Sequence, residues 1–117
     1  MAKQIRRKTP KRVKIGYSTF KIIPRSKSWG IRHKACGMCV PEDQKIIFDC
    51  TQKKTELVNT IIHEMLHGVV YMFDINFRNA RDEERVVRKM ANGLQTVFND
   101  NPQFLEWLLQ NTKKDEQ

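Results

Sequence analysis

From Val13 the chain alternates. Val13, Ile15 and Tyr17 are separated by single polar or small residues, and apolar positions resume at Phe20 and Ile22. A period of two belongs to a half-buried strand, so "VKIGYSTFKII" reads as β structure, with Gly16 as a bulge or the turn of a hairpin. Pro24 ends this region. The stretch "RSKSWGIRHKACGMCVPEDQ" is punctuated by Gly30, Gly37 and Pro41 and reads as a long loop with some extended segments. "KIIFDC", residues 45–50, is a short strand rich in β-forming residues.

The period then lengthens. "TELVNTIIHEMLHGVVYMF" predicts a helix of about five turns, with Thr55 as N-cap and Glu56 suited to the first turn. "DINFRNAR" is a connection. Val86, Val87, Met90, Ala91, Leu94, Val97 and Phe98 recur at helical spacing, and Pro102 opens a last helix through "QFLEWLLQ". The order predicts an α+β fold: a small N-terminal antiparallel sheet followed by three helices. Residues 1–12 are expected to form a basic flexible arm, 13–112 a single domain and 113–117 a polar tail.

Composition sharpens this picture only in part. The 117 residues are 39% hydrophobic and 30% charged, which suits one folded domain. No apolar segment approaches the roughly 20 residues that span a bilayer, and no apolar stretch follows the basic start as a secretory signal requires. A cytoplasmic location, in the producing or host cell, is therefore expected. Three cysteines without a signal peptide argue against a disulfide framework. The net charge of +9 matters more, because seven cations crowd into the first fourteen residues: Lys3, Arg6, Arg7, Lys8, Lys11, Arg12 and Lys14. Such a cluster is either a solvated terminus or a non-specific DNA contact made through counterion release.

The chemistry concentrates in "IIHEMLHGVVYMF", residues 61–73. An apolar helix gains nothing by burying two imidazoles and a carboxylate, since each polar group taken from water needs a partner. A metal ion supplies one. His63 and His67 are i and i+4, on one helical face, and both can reach the same ion. Glu64 lies about 100° around the helix from His63, where it can act on a metal-bound water without ligating. Gly68 leaves room for close backbone packing behind the motif.

Two histidines leave a catalytic zinc site one protein ligand short. The following helix offers Asp82, Glu83 and Glu84. Val87, Met90 and Leu94 fall within about 40° of Glu83 on a helical wheel, so Glu83 shares the buried face and is the expected third ligand, ahead of Glu84. His33, Cys36, Cys39 and Cys50 offer the donors of a second, structural zinc site, but C-x-x-C with a lone later Cys is only half of such a motif. Tyr71, eight residues after His63 on the same face, could donate to an oxyanion. The strand at Ile46–Phe48 could receive an extended peptide if it lies at a sheet edge.

"IIHEMLHGVVYMF" followed by "DEERVVRKMANGLQTVFNDNP" resembles the small phage-associated zincin metallopeptidases, related to ImmA/IrrE-type and more distantly to SprT-like peptidases. The resemblance covers about residues 44–110, within the usual tolerance on element boundaries. It implies His63 and His67 as zinc ligands, Glu64 as general base, and a glutamate early in the next helix as third ligand, the gluzincin type. It implies a hydrolase that cuts protein or peptide substrates. The competing expectation is a basic nucleic-acid-binding, phage-regulatory protein built on a zincin-like scaffold. Residues 1–14 carry no aromatic side chain to interleave with the basic ones, which weakens that alternative as a stacking platform.

Overall fold

The structure, a computed structural model, describes residues 8–113. The expected arm therefore lies outside the described residues over 1–7, as does most of the tail. Strand β1 spans Arg12–Ile15 and β2 Ser18–Arg25, paired antiparallel with Val13 opposite Phe20. Gly16, at φ 64°, makes the hairpin turn between them. Arg12, assigned to the arm by its sequence, is the first residue of the sheet. Helix α1 (Lys27–His33) follows, then β3 (Gly37–Val40), a 3₁₀ turn at Pro41–Asp43 and β4 (Lys45–Asp49). Three further helices complete the chain: α2 (Lys54–Met72), α3 (Ala80–Asp100) and α4 (Pro102–Asn111).

The α+β architecture, with sheet first and long helices after, is as expected. Two details are not. The sheet order is β1-β2-β4-β3, and β2 runs parallel to β4, so the sheet is mixed rather than antiparallel. The crossover between those parallel strands carries α1 and β3, in the stretch expected as a long loop with some extended segments; the helix is the departure. Helix α1 is only seven residues, too short for a period to show, although Ser26 caps it by accepting from the Trp29 amide at 3.3 Å. β3 and β4 form a hairpin across "VPEDQ", with Gln44 at φ 55° closing the turn.

The core lies between the sheet and α2. Ile15, Phe20, Ile22, Ile46 and Phe48 are buried on one sheet face, and Leu57, Ile61, Met65, Val69 and Met72 of α2 pack against them. Those helix positions recur every three or four residues, a single stripe. His63 lies about 200° around the helix from Ile61, on the opposite side. The apolar helix thus has two faces with separate tasks. Gly68 sits where α2 crosses the first hairpin: a Cβ there would come within 2.8 Å of Ile15 Cδ1. The start of α2 also shifts from its expected place. Lys53, not Thr55, is the N-cap residue, and it makes no side-chain capping bond. Among the described residues, no helix is long and apolar enough to cross a membrane.

Candidate metal centre

Helix α3 runs beside the polar face of α2 and is fastened there by amides. Asn59 Nδ2 donates to Asn92 Oδ1 (3.0 Å) and Gln95 Oε1 (2.9 Å), and Gln95 Nε2 donates to the Thr55 carbonyl (3.0 Å). Asn79 caps α3 through the Asp82 amide at 2.9 Å, which fixes where its first turn begins. Two adjacent glutamates then face the two histidines, near a helix N-terminus that favours negative charge.

Glu84 bridges the histidines. Its carboxylate lies 3.0 Å from His63 Nε2 and 2.9 Å from His67 Nε2. One donor atom from each of His63, His67 and Glu84 lies within 4.8 Å of the others, the one such group among the described residues. Glu83, expected as the third ligand, is placed instead on the far nitrogen of His67, with Oε2 2.7 Å from Nδ1. The wheel ranked the acids by burial. The donor atoms meet at the rim of the α2–α3 pair, where the residue about 100° from the buried face is the one that reaches both Nε2 atoms. His33 is elsewhere, its Nδ1 2.9 Å from the Trp29 carbonyl. It forms no such group with Cys36, Cys39 and Cys50.

The donor set fits zinc. Zinc bonds of 2.0–2.2 Å in tetrahedral geometry put neighbouring ligand atoms about 3.3 Å apart, close to the nitrogen–oxygen separations found here. Nitrogen, nitrogen and carboxylate oxygen are zinc's usual partners in catalytic sites, which leave one position open. With Nδ1–H donating to Glu83, His67 presents Nε2 to an ion, the arrangement that fixes a ligand's tautomer and raises its basicity.

Charge is distributed unevenly across this group. Burial opposes protonation of His67, but its hydrogen bonds to Glu83 and Glu84 outweigh burial and raise its pKa. Glu84 is held below the usual carboxylate range: burial works against this, and the hydrogen bond from His67 with the charge of His63 overcomes it. Glu64 differs. It is 8% exposed and makes no side-chain hydrogen bond among the described residues; burial pushes its pKa up to about 7, with His67 opposing and Glu84 adding to the rise. Cys39 is pushed up to about 12 by burial and by Glu64, Glu42 and Glu83, so it stays a neutral thiol.

Glu64 owes its burial to Gly37. A Cβ at Gly37 would lie 2.5 Å from Thr60 Cγ2 and 3.2 Å from Glu64 Cγ and Oε2. Only glycine lets β3 come so near α2. Gly37→Ala is expected to force the strand off the helix and lower stability by about 1–3 kcal/mol in thermal unfolding. Thr60→Ser removes that methyl and keeps the 2.7 Å bond from Oγ1 to Gln52, so the double variant should recover most of the loss. Additive losses would mean that the Thr60 methyl is not the obstacle.

These groups line an open cleft of about 1210 Å³. Tyr71 and Arg88 border it, as does the β3 segment Gly37–Cys39. Tyr71 is half exposed. β4 is an interior strand, paired with β2 and β3, so Ile46–Phe48 offers no free edge. The free edge beside the cleft belongs to β3. The sequence reading missed β3 and Arg88, and took Cys39 for a donor of a second zinc site rather than a wall of this cleft. The apolar–turn–apolar pattern of "MCVPEDQKIIF" was the available signal for the hairpin, and Arg88 follows Glu84 by one helical turn. Searches found no matching family model, no matching curated protein and no matching solved structure.

Proposed function

We propose that this chain is a zinc-dependent metallopeptidase of minimal gluzincin type, with His63, His67 and Glu84 as ligands and Glu64 as general base. One observation carries the reading: a His–His–Glu donor set and a buried carboxylate of raised pKa line the same open cleft. Structural zinc sites are closed by four protein ligands, whereas three ligands beside an unpaired base suit catalysis. Glu84 is preferred to Glu83 because its carboxylate meets both Nε2 atoms. Glu83 then holds His67 in the ligating tautomer.

A zinc ion in this site would lower the pKa of its water to about 7 and polarise a substrate carbonyl. The chain's own residues supply the proton path and the binding surface. Glu64, buried and unpaired beside the donor group, takes a proton from the attacking water and delivers it to the leaving amine. The free edge of β3 offers main-chain donors and acceptors to an extended peptide, which would place a peptide bond beside Glu64. Tyr71 and Arg88 border the same space and can donate to a developing oxyanion.

The test is cleavage of a broad peptide library read by mass spectrometry, with metal content measured on the same sample. Cleavage should vanish with a chelator and return with one equivalent of zinc. A zinc-loaded protein that cuts nothing across the library would overturn the peptidase reading in favour of a zinc-held scaffold.

A further inference from the structure

The sheet has a second face, turned away from α2, and its charge has no partner in the reading above. Strand alternation puts Arg12 and Lys14 of β1, Lys21 and Arg25 of β2, and Lys45 of β4 on it, all exposed. The register places Arg12 directly opposite Lys21, and Lys21 directly opposite Lys45. Three cations therefore stand abreast across three adjacent strands, at about 4.8 Å per strand. Like charges directly opposite one another destabilise a sheet. Among the described residues, no carboxylate comes within the 4.0 Å of an ion pair with any of the five, although Asp49 stands opposite Arg25 on the same face. Helix α1 packs against the Asp49 end of β4, where a Cβ on Gly30 would lie 3.2 Å from Asp49 Oδ2.

We infer that this face binds the phosphate backbone of double-stranded DNA. Charge complementarity selects a polyanion, and a row of point charges and guanidinium groups at strand spacing suits phosphates. The other side chains of the face are Thr19, Ile23, Ile47, Met38, Val40 and Asp49, none of them aromatic. A single-stranded ligand would need a row of stacking platforms for its bases, and the strands offer none on this face; the one exposed aromatic nearby among the described residues, Tyr17, stands in the turn between β1 and β2. The contact is with backbone and carries no base sequence. Because the face points away from α2, a bound duplex leaves the cleft open. The inference stands apart from the peptidase reading and does not depend on zinc.

Five phosphate contacts predict a slope of about −4.5 in log K against log salt, so affinity falls roughly 500-fold between 50 and 200 mM salt. The experiment measures fluorescence anisotropy of a labelled 25-base-pair duplex over that range with the full chain. The triple variant Arg12→Gln, Lys21→Gln, Lys45→Gln should flatten the slope by nearly 3 and weaken binding at 50 mM more than tenfold. Lys53→Gln, Lys54→Gln, Lys89→Gln removes equal charge elsewhere and should leave the slope nearly unchanged. Should the first triple variant fail to fold, Lys21→Gln alone is expected to flatten the slope by about 1. Equal slopes for wild type and the sheet variants would overturn the inference. So would preferential binding of single-stranded DNA, or capture by phosphatidylserine vesicles without binding of duplex.

Discussion

Replacing Glu64 with Gln is expected to lower peptide hydrolysis by about 10²–10⁴-fold while one zinc per chain is retained. The amide keeps the shape of the side chain and loses the ability to take a proton. Metal content should hold because Glu64 is not in the donor group formed by His63, His67 and Glu84. The same substitution should act oppositely on stability. Glu64 is buried at 8% exposure with its pKa raised from 4.5 to about 7. A carboxyl group whose folded pKa exceeds its unfolded one favours the fold at low pH, and that advantage is lost as pH rises. The cost begins near pH 4.5 and is complete above about 7, where it amounts to on the order of 3 kcal/mol. Gln bears no charge at any of these pH values. Metal-free Glu64→Gln protein should therefore melt higher than wild type at pH 8 and alike at pH 4. An active variant would sink the general-base role. Equal melting at pH 8 would mean that the Glu64 carboxylate is better solvated than its burial implies.

The contrast between those two effects explains what was legible in the sequence and what was not. His63, Glu64 and His67 were legible as a motif because their spacing is a local property of one helix; which side of that helix meets the core, the stripe Leu57, Ile61, Met65, Val69, comes from the structure. The burial of Glu64 is not local. It arises because β3 crosses α2 at Gly37, a meeting of segments more than twenty residues apart. Parallel pairing of β2 with β4 was hidden for the same reason: the crossover holds two short elements, and neither α1 nor β3 is long enough to display a period. The cationic row was equally invisible. Arg12, Lys21 and Lys45 are scattered along the chain, and only the strand register puts them abreast. A count of charges pointed to the N-terminal cluster; pairing shows that two of its members, Arg12 and Lys14, belong to the sheet.

The third ligand is where sequence and geometry diverge most, and substitution separates them by a large margin. Glu84→Ala is expected to abolish stoichiometric zinc, because two histidines alone leave the ion short of its protein ligands. Glu83→Ala should keep one zinc per chain and weaken it by about 10–100-fold, the usual cost of removing a carboxylate that orients a ligating histidine. Competition with a chromophoric chelator measures both, and the visible spectrum of the cobalt-substituted protein reports the ligand set directly. His67 adds a second readout. Burial opposes protonation of His67 in the metal-free protein, but hydrogen bonds to both glutamates and the charges of Glu64 and Glu84 raise its pKa. Glu83→Ala and Glu84→Ala should thus each move the His67 titration, followed by NMR, to lower pH. The reverse pattern, zinc lost with Glu83→Ala and merely weakened with Glu84→Ala, would mean that the two side chains exchange places when the ion enters. In that case the buried-face argument from the helical wheel would have identified the ligand, and the bridge from Glu84 to His63 and His67 would be what holds the two helices in register until zinc arrives.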